Sequence, residues 1–496
     1  MTLVPLDIPA GFYRNGTDLE QSGRWRDGSL VRWRDNSLRP VGGWQERKAS
    51  FSTNPVRGMH TWEANNGTAY VAGGSYNELK AMTGNGTVYD IAPTDLTSGR
   101  ENAEVETGYG YGFYGDGFYG TPIQQNANAV PEEATQWNID NWGEYLVAVN
   151  RDDGRLLEWQ LNPAVKAAPI ANAPTGNLGL VVTEERFIFA LGSGNNPRKI
   201  SWCDRENNTV WTPAATNEAG DIELADSGQI MQGIRTRGQT LILTDTSAHT
   251  ARYLGPPYVY GFERVSTSCG AISRKAASDV DMGVFWMGQR GFFRFDGNSV
   301  QEIPCDVFDY VFGDFNPAQQ SKVWSFANGQ YGEVWWFYCS EDSTEIDRYV
   351  AYDYKEGHWL IGNLSRTSGV QRGVFRYPLM AGHNADSDIY DHEVGLNVDS
   401  SSIFAETGPI SIGSGDQVAR ITNIIPDEKA QGEVNLTFKT RFYPNGTETS
   451  HGPFATSNPT SVRFTGRQVR MRVEGAALSD FRVGNMRVDI KAGGRR

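Results

Sequence analysis

Cysteine is scarce, at four in 496 residues. Cys203, Cys269, Cys305 and Cys339 stand far apart, with no Cys-x-x-Cys pair and no neighbouring His pair. That excludes a disulfide scaffold and argues against zinc, so buried free thiols are expected. Histidine is nearly as scarce, at six, and none sits beside a Ser or Cys placed as a nucleophile. Each is read as a single buried or turn residue. The phosphate-binding loop G-x-x-x-x-G-K-S/T and the nucleophile elbow G-x-S-x-G are both absent. No segment approaches a membrane span. The N-terminus, Met1-Thr-Leu-Val-Pro-Leu-Asp-Ile-Pro9, lacks a basic stretch followed by an apolar one, so assembly in a cytoplasm is expected. Helical periodicity is rare and does not persist. These absences predict no cofactor, no metal and no catalytic residue.

Charge is lopsided. The net value is −14, which excludes a chain that binds nucleic acid by its overall electrostatics. Residues 430–496 hold eleven Lys and Arg against five Asp and Glu, a surplus of +6 that leaves −20 for the rest. Two readings stay open. The segment is a basic tip that meets a phosphate or an acidic partner, or it is ordinary alternation on the solvent face of strands. Arg467, Arg470 and Arg472 are the candidate contact stripe, and Arg470 and Arg472 should share a face because strand side chains alternate.

What the chain does have is aromatics, at 12%, with 56 Gly and 22 Pro. That mixture favours many short strands joined by tight turns. Residues 56–93 read as four strands, separated by turns holding Asn65-Asn66-Gly67, Tyr76-Asn77 and Asn85-Gly86. Four antiparallel strands in so short a span make one propeller blade. Similar units recur, with Tyr145-Leu-Val-Ala-Val149, Gln239-Thr-Leu-Ile-Leu-Thr244, Gly283-Val-Phe-Trp-Met287 and Glu333-Val-Trp-Trp-Phe-Tyr338 as their most apolar strands. The ends of two hairpins correspond, Arg294-Phe-Asp-Gly297 and Tyr352-Asp-Tyr-Lys-Glu-Gly357, where an Asp can accept the turn's backbone N–H groups. The expected fold is all-β: an irregular β-propeller of about six to seven blade-like units with an added small β-sandwich. Residues 1–55 form an N-terminal arm with a hairpin turning at Asp35-Asn36, an arm of the kind that ties one unit to another or closes a ring of blades. Residues 56–397 form the propeller, with an insertion at 100–133, and residues 398–496 form the sandwich. Asn-Gly-Thr at Asn15, Asn66, Asn85 and Asn445 is read as turns.

The insertion contains Gly108-Tyr-Gly-Tyr-Gly-Phe-Tyr-Gly-Asp-Gly-Phe-Tyr-Gly-Thr-Pro122. It matches G-x-G-x-x-G twice, but Thr121-Pro122 and an Asn/Gln-rich stretch follow, so no helix N-terminus could meet a pyrophosphate. Tyr109, Tyr111, Phe113, Tyr114, Phe118 and Tyr119 are the candidate assembly or channel element, aromatic faces on an adaptable backbone. Asp386, Asp388 and Asp391 gather acids at short spacing, but without the Gly and terminal Glu of a calcium loop, so a solvated turn is expected. A propeller glycoside hydrolase such as a sialidase would carry repeated Ser-x-Asp-x-Gly-x-Thr-Trp turns. The nearest string, Ser201-Trp-Cys-Asp-Arg-Glu-Asn-Asn-Thr-Val-Trp211, occurs once with altered spacing.

An ordered series of strings points elsewhere. Ala134-Thr-Gln-Trp-Asn-Ile-Asp-Asn-Trp142, Cys269-Gly-Ala-Ile272, Phe292-Phe-Arg-Phe-Asp-Gly297, Pro304-Cys-Asp-Val-Phe-Asp-Tyr-Val-Phe312, Glu333-Val-Trp-Trp-Phe-Tyr338 and Asp391-His-Glu-Val-Gly395 follow in that order. Together they resemble the tail hub or nozzle proteins of short-tailed bacteriophages, including those described as packaged-DNA stabilisation proteins, over roughly residues 10–490. The resemblance implies a propeller-based homohexamer in the virion tail, below the portal and head–tail adaptor. Tail fibre or needle proteins would be its neighbours, the host cell surface would lie at its tip, and double-stranded DNA would pass its lumen without sequence readout. Recognition of host-surface glycans by propeller loops and glycoside hydrolysis remain the alternatives.

Overall fold

The computed structural model describes residues 2–104, 132–225, 228–383, 387–398, 403–411, 417–475 and 480–494. Among them, seven four-stranded antiparallel sheets follow one another along the chain. The first uses Met59–Glu63, Ala69–Gly74, Leu79–Thr83 and Val88–Asp90. The next five begin with Trp137–Trp142, Gly179–Val182, Ile230–Thr236, Ala277–Val280 and Trp324–Asn328. The seventh begins with Arg366–Val370. Each first strand packs beside the first strand of the next sheet, and the seventh returns to the first. The sheets are therefore the blades of a closed seven-bladed propeller. The all-β expectation holds, and the blade number is the upper of the two expected values.

The turns are built as their residues require. Asp296 accepts the backbone N–H groups of Asn298 and Ser299 at 2.9 and 2.8 Å. Asp353 accepts those of Lys355 and Glu356 at 2.9 and 2.8 Å. Gly67 and Gly86 take φ of +80° and +89°, where a side chain would be strained. Every blade hides aromatic or branched side chains between itself and its neighbours, with Trp137, Trp159, Trp286, Trp336 and Trp359 fully buried.

The ring is closed by sequence from the far end of the chain. Only three strands of the seventh blade come from residues 366–392, and its fourth is Trp44–Ser52, paired antiparallel with Ser387–His392. Asp391 pairs with Arg47 at 2.9 Å, and Asp388 accepts the Ser50 N–H at 2.8 Å. These two acids of the 386–391 cluster thus fasten the closing strand; Asp386 lies outside the described residues.

Two further sheets form the sandwich. One runs in the order Thr2–Leu6, Met486–Ala492, Ala419–Ile425, Thr460–Gly466. The other joins Trp25–Ser29, Phe404–Thr407, Gln468–Gly475, Val434–Arg441 and Thr449–Ala455. Thr460–Gly466 alternates buried and exposed at every residue, as a strand with one face on a core must. Residues 1–55 therefore serve three bodies: they add one strand to each sandwich sheet and one to the last blade. Between these, the hairpin Val31–Arg34 and Ser37–Pro40 turns through Asp35 and Asn36, both at positive φ. Its Trp33 packs on Phe12 at 5.0 Å and Trp25 at 5.8 Å. Leu38 exchanges backbone hydrogen bonds with Val483 at 2.8 and 3.0 Å. One hydrophobic core runs from the fifth and sixth blades through this hairpin into the sandwich.

Candidate functional site

The first strands of the blades surround the propeller axis, and the residues that lead into them gather at one mouth of it. Arg57, Lys275 and Lys322 each stand two residues before the first strand of their blade. With Gln136, Gln232 and Thr367 they line a polar cavity of about 170 Å³ bounded by six of the seven blades.

The insertion between the first and second blades springs from this mouth. At its base, Glu104 and Glu132 exchange backbone hydrogen bonds at 3.0 and 2.8 Å. Its two feet are tied across the ring to residues 319–322, which lead into the sixth blade. Gln319 accepts the Ala103 N–H at 3.0 Å and donates to the Ala103 carbonyl at 3.2 Å. Ser321 Oγ accepts the Ala134 N–H at 3.1 Å, and Lys322 Nζ donates to Asn102 Oδ1 at 2.6 Å.

Buried charge braces the propeller beside one foot and grips the other. Arg57 grips Glu345 through two hydrogen bonds of 2.7 and 2.5 Å, and Lys322 lies 3.7 Å from the same carboxylate. Burial alone would raise the Glu345 pKa, but Arg57 and then Lys322 hold it down to about 2. Lys322 is pushed down to about 8 by burial and by Arg57. On the other foot, Glu133 pairs with Arg151 at 2.8 Å and with buried Arg274 at 3.2 Å. Arg274 also donates to the Ile230 carbonyl and to Gln229. Burial pushes Glu133 upward, yet Arg274 and Arg151 leave its pKa lowered. Further along the axis Asp140 accepts from Arg235 at 3.2 Å and from the Val182 N–H at 3.1 Å. Such an arrangement fixes a segment in place and presents positive charge to a small enclosed space. Sequence reading passed over it, although the signal was a cation repeated two residues ahead of an inner strand.

Tyr109, Tyr111, Phe113, Tyr114, Phe118 and Tyr119 lie outside the described residues. Arg470 and Arg472 do occupy one face of Gln468–Gly475, and they share it with carboxylates. Arg470 bonds Glu406 and Glu448, the latter at 2.9 Å. Arg472 lies 3.8 Å from Glu406 and 3.3 Å from Glu474, with its guanidinium 3.5 Å over the Phe404 ring. Lys439 also bonds Glu406, at 2.9 Å. Arg467 sits apart, over the Tyr443 ring at 5.2 Å. Arg470 and Arg472 of the stripe are thus engaged within the sandwich by Glu406, Glu448 and Glu474.

Two larger spaces flank these features. A cleft of about 550 Å³ between the fourth and fifth blades is lined by Asp245, Arg264, Arg290, Phe293 and Glu302. An apolar groove of about 540 Å³ between the sandwich sheets is lined by Leu6, Ile421, Phe438, Met471 and Val488. Asp353, Glu356 and His358 bring three potential metal ligands within 4.8 Å of one another. Arg34 lies 3.9 Å from Asp353 there and opposes a cation. Three cysteines are buried and Cys305 is half-buried, all as free thiols.

No protein-family model matches the chain, and no curated protein matches it. Similar solved structures include a streptogramin B lyase, at 8% identity over 71% of this chain and 98% of that one, with a TM-score of 0.42. Virginiamycin B lyase from Staphylococcus aureus is similar at 6% identity, over 70% of this chain and 98% of that one, with a TM-score of 0.41. The N-terminal domain of Nup159 is similar at 12% identity, over 74% and 99%, with a TM-score of 0.36. At such values no chemistry passes from those proteins to this one, and the propeller assignment stands on the chain's own strand pairing.

Proposed function

We propose that this chain is a structural subunit of a phage tail nozzle or hub, and that it works by assembly and not by turnover. The observation that carries the reading is the anchoring of the Gly-aromatic insertion. One foot is bolted to the propeller by the buried ion pair of Arg274 with Glu133, and the other by hydrogen bonds from Lys322 to Asn102 and between Gln319 and Ala103. A segment rich in Tyr and Phe, held at a fixed base, suits contact with a neighbouring subunit. The ordered strings that resemble the nozzle family supply the partners: further copies in a six-fold ring, the adaptor above, fibre or needle proteins beside it. Double-stranded DNA would cross the ring's lumen. A net charge of −14 favours a lumen that repels phosphates and lets DNA slide.

Electron micrographs of the purified chain, alone and with the adaptor of the same virion, test this. Six-fold rings are expected, together with antibody labelling of the virion tail. Monomers under both conditions and an unlabelled tail would overturn it. The cleft between the fourth and fifth blades favours one second reading, recognition of host-surface glycans. Phe293 offers a ring for a sugar face, with Arg290 and Glu302 as polar contacts. Retention on an array of host polysaccharides, lost in Phe293→Ala, would favour that reading.

A further inference from the structure

We propose that the cavity on the propeller axis is a binding site for inorganic phosphate. Four polar groups that line it lack partners among the described residues. Arg57 Nε, Gln136 Oε1 and Thr367 Oγ1 are buried without a hydrogen bond, on side chains of residues only 4%, 5% and 2% exposed. The Lys275 ammonium also lines the cavity, and no hydrogen bond or ion pair engages it. Asp140, the carboxylate whose charge acts on Lys275, is taken up by Arg235 and the Val182 N–H. Lys322 lines it as well, and Glu345, behind the lining, is divided between Arg57 and Lys322. Three cations thus line the cavity, and no carboxylate is among the residues that line it.

Each unpartnered buried polar atom costs about 1–3 kcal/mol, and the half-buried Lys275 ammonium adds a charge that no ion pair answers. The space therefore holds an occupant, and its chemistry can be read from what it must satisfy. Lys275 Nζ and Arg57 Nε only donate, Thr367 Oγ1 donates or accepts, and Gln136 Oε1 only accepts. A ligand must bring negative charge, several acceptor oxygens and one O–H donor. Hydrogen phosphate has all three. Sulfate and chloride lack the O–H, a carboxylate lacks it as well, and water lacks the charge. The volume of about 170 Å³ equals about six waters. That admits a tetrahedral ion with a few waters and leaves no room for a nucleoside.

The experiment titrates the full-length chain with inorganic phosphate by calorimetry and by thermal melting, with chloride holding the ionic strength constant. One saturable site and a rise in Tm beyond that in chloride are expected. Sulfate should bind about tenfold more weakly, through the unanswered Gln136 carbonyl. Lys275→Met should weaken phosphate binding by at least about tenfold while leaving Tm in chloride equal or higher, since it removes a half-buried charge that no ion pair engages. Thr367→Val, nearly the same in size, should weaken binding severalfold. Phosphate acting no differently from chloride would mean a water-filled cavity and would overturn the proposal. So would Lys275→Met or Thr367→Val binding as the unaltered chain does. Ring formation is read on micrographs, so this site and the assembly role fail or stand separately.

Discussion

Two buried ionic clusters fasten the two long-range joints of this molecule, and they are balanced in opposite senses. At the N-terminal arm, Arg32 is the one cation, set 2.9 Å from Glu333 and 2.5 Å from Glu393, with all three side chains nearly inaccessible. Beside the insertion's first foot, Glu345 is the one carboxylate in ion-pair contact with Arg57 and Lys322. The arm cluster has one acid too many. Burial pushes the Glu333 carboxyl up to about 7, with Glu393 adding to the rise and Arg32 opposing it. The foot cluster has one base too many, and its carboxylate is held down to about 2. The same residue types thus give an arm joint that acid favours and a foot joint that acid weakens. The local count of charges decides which, not the presence of a salt bridge.

The most severe way to break this comparison is to remove the arm. Deleting residues 1–52 strips the seventh blade of its outer strand and each sandwich sheet of an edge strand. The expected product has no cooperative thermal transition, checked by circular dichroism and size-exclusion chromatography. Next in size is Arg32→Met, which leaves Glu333 and Glu393 buried together. It should lose about 3–5 kcal/mol in urea unfolding. Arg57→Met is milder, at about 2 kcal/mol, because Lys322 still faces Glu345.

The pH dependence sharpens the contrast. A carboxyl raised in the folded state adds stability fully present below its ordinary value of 4.5 and lost as pH climbs through about 7. Replacing it by Glu333→Gln should flatten the decline in the urea midpoint between about pH 5 and about pH 8. A depressed carboxyl behaves oppositely. The share from Glu345 is present above 4.5 and lost as pH falls towards about 2. Glu345→Gln should therefore lower stability at neutral pH and make little difference at the acid end. Equal pH profiles for the two variants would contradict the opposed balance. The smallest effect belongs to Arg470→Ala. Lys439 and Arg472 still face Glu406 in that variant, so about 1 kcal/mol or less is expected by the same urea assay.

Local pattern made much of the fold legible. The alternation in Val434–Arg441 and Thr460–Gly466 and the Asn-Gly and Asp-Gly turns were visible, since strand period and turn chemistry act between near neighbours. The positive φ of Asp35 and Asn36 was foreseeable from residue type. The axial site was legible only in part. Arg57, Lys275 and Lys322 are 218 and 47 positions apart, and nothing in a one-dimensional window joins them. The pairing of Arg470 and Arg472 with Glu406 was hidden for the same reason, because Glu406 lies more than sixty residues earlier on another strand.

By itself, then, the sequence determined what each short stretch would become: strands, tight turns, a hairpin in the arm, an insertion unlike its surroundings. The tertiary structure alone decided how those pieces close. Trp44–Ser52 completes the blade of residues 366–392, Thr2–Leu6 and Trp25–Ser29 complete the sandwich, and seven strand entrances meet around one axis. Strand propensity and turn geometry are short-range properties of the backbone. Edge pairing and the neutralisation of buried charge are satisfied between partners that only the folded chain brings within a few ångströms.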